Sequence, residues 1–173
     1  RLIYISGGAQ ARFMNSIDGT DIGEAIHQAY MRGATISGTS AGAAVMSEMM
    51  ITGDQVKHPV YTGDFQTIEA NNIILEQGLG LLESAIIDQH FVKRQRLNRL
   101  ISVILENPGK SGFGIDESTA LLVKDGMGIV VGESQVIQLT HPCAETKIVN
   151  GLLGGKGMEL SVYLPGDTID MKY

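Results

Sequence analysis

Cysteine is nearly absent. Cys143 is the only one in 173 residues, so neither an internal disulfide framework nor a cysteine-based zinc site can be assembled. Cys143 itself reads as a small residue beside a loop, just before a chain turn. Long apolar runs are missing as well, and no stretch approaches the roughly 20 apolar residues of a membrane helix. Positive charge is in deficit, with 13 Lys and Arg against 19 Asp and Glu and a net charge of −6. That argues against a broad phosphate-binding face, and so against a nucleic-acid partner. Internal repeats, low-complexity segments and a collagen-like glycine period are absent too. What remains is 43% apolar and 18% charged, which excludes a disordered tail. The length suits one domain, or a large piece of one, able to bury about 70% of its unfolded surface. Glycine is the excess: 22 residues call for many tight turns.

The sequence opens on Arg1 rather than Met, within a run that already reads as a strand, Leu2 to Ser6. No signal-peptide pattern is visible there. The compartment stays open, with cytoplasmic favoured over secreted. The first strand ends in Gly7-Gly8. Asp21 is a candidate cap for a helix through Ile22, Ala25, Ile26, Ala29 and Tyr30, stopped by Gly33. A second short strand, Ala34 to Ser37, runs into Gly38-Thr39-Ser40-Ala41-Gly42, and Ala43 to Met50 reads as a buried helix. Strand, glycine turn and helix make an α/β unit.

Residues 52–72 read as a long loop, and Ser84 to Asp88 as a strand followed by Gln89-His90-Phe91. A basic helix is expected from Val92 to Glu106, ended by Asn107-Pro108-Gly109, and then a strand from Phe113 to Asp116. Beyond Thr119 the segments Ala120–Val123, Gly128–Val131, Gln135–Leu139 and Met158–Leu164 read as strands paired in antiparallel hairpins. The expected fold class is α/β, a mostly parallel central sheet flanked by helices, with an antiparallel β extension near the C-terminus.

Gly38-Thr39-Ser40-Ala41-Gly42 fits the G-x-S-x-G nucleophile elbow. A serine hydroxyl must protrude from a sharp strand-to-helix turn, where larger neighbours would clash. The residue after the serine supplies one oxyanion donor through its backbone N–H. In a glycine-rich chain the same five positions also occur as a plain tight turn. A serine nucleophile needs a base. His27 lies inside an expected surface helix, His58 in a loop beside Pro59 and His141 before Pro142 in the β-rich tail. His90, by contrast, sits just past the carboxyl end of an expected strand, where catalytic groups collect in open parallel sheets. An acid should orient the imidazole, and Gly114-Ile115-Asp116-Glu117 ends another strand with two carboxylates. Side chains alternate along a strand, so only one of Asp116 and Glu117 can face His90. The residues alone do not choose. The order Ser, His, acid differs from the Ser, acid, His order of α/β-hydrolases, which disfavours an ordinary lipase or esterase. Arg94, Arg96 and Arg99 follow His90. They suggest a positive pocket for carboxylates, or else a solvated helix face.

Together these motifs resemble the cyanophycinase family of serine peptidases, related to aspartyl dipeptidases and similar in fold to class I glutamine amidotransferases. Gly7-Gly8-Ala9-Gln10, the serine block, Asp88-Gln89-His90-Phe91 with its arginines, and Gly114-Ile115-Asp116-Glu117 carry the resemblance in family order. The resemblance implies Ser40 as nucleophile, His90 as general base and Glu117 as the orienting acid, with the N–H groups of Gly8 and Ala41 as oxyanion hole. It also implies that Gln10, Asp88, Gln89, Arg94, Arg96 and Arg99 line the substrate pocket. No cofactor and no metal are implied, and no membrane partner. The implied substrate is cyanophycin, a poly-aspartate with arginine on each β-carboxyl, cleaved to β-Asp-Arg dipeptides. Short aspartyl or isoaspartyl peptides are the alternative substrates, and a non-catalytic peptide-binding homologue is the alternative of another class. A homodimer is the family expectation. This chain departs from the family in Ala9, where an acidic residue is usual. It also begins almost at the Gly-Gly block, so a single domain over 1–173 is expected to lack a family segment carrying early strands of the sheet.

Overall fold

Short β-branched runs that stop at glycine or at a polar loop become strands here, and their carboxyl ends open into turns. The computed structural model describes residues 1–60, 62–63, 65–142 and 145–171, so Cys143 lies outside the described residues. The order begins β1 (Leu2–Ile5), α1 (Gln10–Ile17), α2 (Asp21–Met31), β2 (Thr35–Gly38), α3 (Ala41–Ala44), β3 (Met49–Gln55) and β4 (Ile73–Gln77). It continues with β5 (Ala85–Gln89), α4 (Leu97–Glu106), β6 (Ser111–Ile115), β7 (Thr119–Lys124), β8 (Met127–Gly132) and β9 (Val136–Thr140). The chain closes with β10 (Glu145–Val149), β11 (Leu152–Lys156), β12 (Glu159–Tyr163) and β13 (Thr168–Asp170). The fold is mixed α/β.

Parallel pairing among the described residues joins β1 to β2 and β5 to β6. The remaining ladders are antiparallel, including a four-stranded sheet in the order β12-β9-β6-β5 and a three-stranded one in the order β13-β8-β7. β5 is buried along its whole length because it is covered on both faces. Ile86 packs with Leu100, Val103 and Ile104 of α4, while Ala85 and Ile87 pack with Val130, Val136 and Ile169. Burying α4 residues such as Leu100 and Ile104 completely contributes about 1.5–3 kcal/mol each.

Several expectations change, each for a physical reason. The helix expected over Ala43–Met50 ends at Ala44. Beyond it the carbonyl groups bond to a second segment instead of continuing the helix: Leu79 N–H to Val45 O, Leu82 N–H to Met46 O and Gly78 N–H to Glu48 O. Those tertiary partners satisfy the groups that helical bonds would have used, and Met49 starts β3, which takes the first residues of the expected loop. Helix α4 starts at Leu97 and not at Val92, because Gln95 inside the expected span adopts φ 52°. The cap of α2 is Thr20, whose side chain accepts from Gly23 N–H, with Asp21 the first helical residue. Hairpin β10–β11 and helix α1 were not expected. Strand β9 pairs with β6 and β12 rather than in a hairpin.

Candidate active site

Strand ends supply the site. β1 and β2 run parallel, so their carboxyl ends point the same way, one into Gly7-Gly8 and the other into Ser40. β5 and β6 are parallel likewise and run out into His90 and into Asp116-Glu117. Carboxyl ends of parallel strands bring groups from separate segments together.

Ser40 occupies the turn from β2 to α3 with φ 53° and ψ −116°, a costly backbone state for a residue with a Cβ. Glycines on both sides let the turn close. A Cβ on Gly38 would lie 2.0 Å from the Gly42 carbonyl oxygen, and one on Gly42 would lie 2.2 Å from that of Ile5. No larger residue fits. The turn presents Ser40 Oγ to His90 Nε2 at 2.8 Å, and His90 Nδ1 stands 2.7 Å from Glu117 Oε1. A carboxylate only accepts, so Nδ1 carries the proton and Nε2 is left to accept from the Ser40 hydroxyl. The His90 side chain is 20% exposed and that of Glu117 49%. Water therefore screens the histidine–carboxylate attraction.

Asp116 serves a different partner: its carboxylate accepts from Lys93 N–H at 3.1 Å. Phe91 N–H donates to Ile115 O at 3.3 Å, so the end of β6 pins the turn that carries His90. A Cβ on Gly114 would meet the Phe91 ring at 2.2 Å, so the ring beside His90 rests directly on the β6 backbone. Among the described residues, neither Gly8 N–H nor Ala41 N–H donates to a protein acceptor. The Gly7-Gly8 loop lies against the serine, since a Cβ on Gly7 would be 3.2 Å from Ser40 Cβ.

The charged run after β5 splits in two. Arg94 is exposed and lines a cleft of about 740 Å³ together with Phe65, Gln66, Asn98 and Ile137. Asp88, Arg96 and Arg99 are buried, at 1%, 4% and 1% exposure. Arg99 Nε donates to Asp88 Oδ2 at 2.6 Å, and its Nη2 donates to Oδ1. Arg96 Nη1 donates to Gln89 O at 2.7 Å and to Gln89 Oε1. Buried Gln10 donates to Ile51 O at 2.9 Å. Of the other histidines, His27 is exposed on α2, His58 pairs with Glu69, and buried His141 donates to Lys156 O. Among the described residues, no group of three or more His, Cys, Asp or Glu side chains is arranged to hold a metal.

Sequence reasoning missed two residues here. Gly53, at the irregularity in β3, would place a Cβ 3.9 Å from Gln10 Nε2 and 4.0 Å from Arg99 Nη1. The Phe65 ring lies 4.6 Å from the Arg99 guanidinium carbon. A glycine inside a strand signals a bulge or a close approach, a sign hidden here by reading 52–72 as loop.

A solved peptidase structure from an acI-B1 Actinobacterium matches 98% of this chain and 59% of its own, with a TM-score of 0.67 and 23% identity. Similar curated proteins are named cyanophycinase. That of Trichormus variabilis is 38% identical over 146 residues and that of Synechococcus elongatus 39% over 136. The alignments take in 80% and 78% of this chain but only 46% and 40% of those relatives, so the chain spans less than half their length. The family model described as Peptidase family S51 matches residues 1–131. That stretch takes in β1 through most of β8, and with it Ser40, His90 and Glu117; the chain belongs to peptidase family S51.

Proposed function

We propose that this chain carries the active centre of a serine exopeptidase that hydrolyses cyanophycin to β-Asp-Arg dipeptides. The observation that carries the proposal is the hydrogen-bonded line from Ser40 through His90 to Glu117, with the serine on a strained turn between strand and helix. His90 Nε2 takes the Ser40 proton as Oγ attacks the aspartate backbone carbonyl. The N–H groups of Gly8 and Ala41 hold the developing oxyanion. His90 then gives the proton to the leaving amine, and the acyl-enzyme forms. Water, deprotonated by His90, cleaves it. Glu117 keeps the imidazole in the required tautomer throughout. Exposed Arg94, with Gln10 and Gln89, belongs to the substrate side. The names of the curated relatives support the polymer as substrate. The reading includes one largely parallel sheet, expected from the order of strands and helices, while its likeness to class I glutamine amidotransferases and a homodimer come from the resemblance alone.

Short aspartyl peptides remain the second reading, and one observation favours them. With Arg96 and Arg99 buried, the arginine run offers fewer exposed cations to a polymer than its sequence suggests.

Ser40→Ala should cut release of β-Asp-Arg from cyanophycin by a factor on the order of 10⁴ or more, with the circular dichroism spectrum unchanged. Undiminished release would end the mechanism. Release by the wild type from aspartyl dipeptides but not from cyanophycin would move the assignment to the second reading.

A further inference from the structure

The run Asp88 to Arg99 has work to do beneath the site. Asp88 sits at the end of β5 with its side chain fully enclosed, and both of its oxygens are taken by Arg99. Oδ1 also accepts the N–H of Gln89 at 2.7 Å. Arg96 reaches the other side of that residue, donating to the Gln89 carbonyl at 2.7 Å. Gln89 is thus gripped at its N–H by Asp88 and at its carbonyl, which belongs to the peptide leading into His90, by Arg96. His90 needs such support, because its backbone is held at φ 52° with a Cβ attached. Arg99 in turn is fixed by the Phe65 ring. Charged groups this deep are costly unless fully paired, and here their pairing fixes one backbone conformation.

We infer that Asp88, Arg96 and Arg99 are positioning residues. They form a buried clamp that holds the Gln89–His90 backbone, and so the imidazole, in line with Ser40, and they do not contact substrate carboxylates. The inference rests on His90 being the general base. It separates these residues from Arg94, which faces the cleft.

The test uses the full chain and two readouts. One is the rate at which a small aryl phosphonofluoridate labels Ser40, which requires a poised Ser–His pair but no substrate contacts. The other is the split between kcat and KM on cyanophycin. Arg96→Gln should lower labelling rate and kcat together by about 10²-fold, the scale of a misplacement near 1 Å, with KM within about threefold. Arg96→Lys, which can still donate to the Gln89 carbonyl, should recover part of both. Asp88→Asn should resemble Arg96→Gln. If it fails to fold by circular dichroism, the Arg96 variants decide, since they keep the hydrogen-bonded Asp88–Arg99 pair and remove only the longer Arg96–Asp88 contact of 3.7 Å. A raised KM with unchanged labelling would overturn the inference, as would no change in either quantity. If the wild type labels at Ser40 yet leaves cyanophycin intact, the substrate assignment falls and the labelling rates alone judge the clamp.

Discussion

The described residues include two histidine–carboxylate pairs of nearly the same length. His90 and Glu117 are 2.7 Å apart, and His58 and Glu69 2.6 Å. Their surroundings differ. At the first pair the carboxylate takes Nδ1, and Nε2 meets a serine hydroxyl on a strained turn. At the second, the carboxylate takes Nε2 and also receives the Thr67 hydroxyl at 2.6 Å, with Lys57 3.9 Å away. No hydroxyl or thiol of the described residues stands at His58 Nδ1. The second pair ties a loop beside the β10–β11 hairpin, where Ala70 N–H donates to Gly151 O. A histidine beside a carboxylate is therefore not a catalytic unit in itself. What matters is which ring nitrogen is left over and what the fold delivers to it.

That contrast breaks most sharply at the carboxylates. Glu117→Gln should reduce peptidase kcat by roughly 10²- to 10⁴-fold, because an amide can present its N–H₂ to Nδ1 and select the wrong tautomer. The half-exposed carboxylate favours the lower part of that range, since water competes for the imidazole. Steady-state kinetics on cyanophycin measures it, and a loss under threefold would remove Glu117 from the mechanism. His58→Ala should leave kcat within about twofold and shift the melting temperature by less than about 4 °C. A tenfold loss of activity would show that the two pairs are not separate in role.

The smallest effect lies in acid. Hydrogen bonds from Thr67 and then His58, with Lys57 nearby, hold the Glu69 carboxyl below the ordinary glutamate value. A depressed folded-state pKa gives stability that is present above the ordinary value and lost as pH falls through the lowered one. The melting-temperature difference between wild type and Glu69→Gln should thus be constant near neutrality and shrink only below the ordinary glutamate range. A difference that grew on acidification would reverse the sign of the account.

Much of the site was legible because its chemistry is written locally. Glycine at 38 and 42 around Ser40 demands a close turn in any fold, and His90 follows directly on a strand. The choice between Asp116 and Glu117 was not legible from alternation alone. It depends on Lys93 N–H reaching one carboxylate while His90 reaches the other, a matter of how two chain segments meet. The same holds for the fold. Asn150-Gly151, with φ of 51° and 81°, is as clear a hairpin signal as Asp125-Gly126, so β10–β11 could have been found. The early end of α3 could not, since residues 78–82 supply the bonds that break it. The arginines are the deepest case. Sequence shows three cations beside a histidine, and only packing divides them into exposed Arg94 and buried Arg96 and Arg99.

The most direct measurement is mass spectrometry after exposure to a serine-directed phosphonofluoridate. One adduct per chain on the peptide containing Ser40, absent in His90→Ala and retained in His58→Ala, is the predicted result. No adduct, or an adduct at Ser40 that forms equally fast without His90, would contradict a serine nucleophile activated by this histidine.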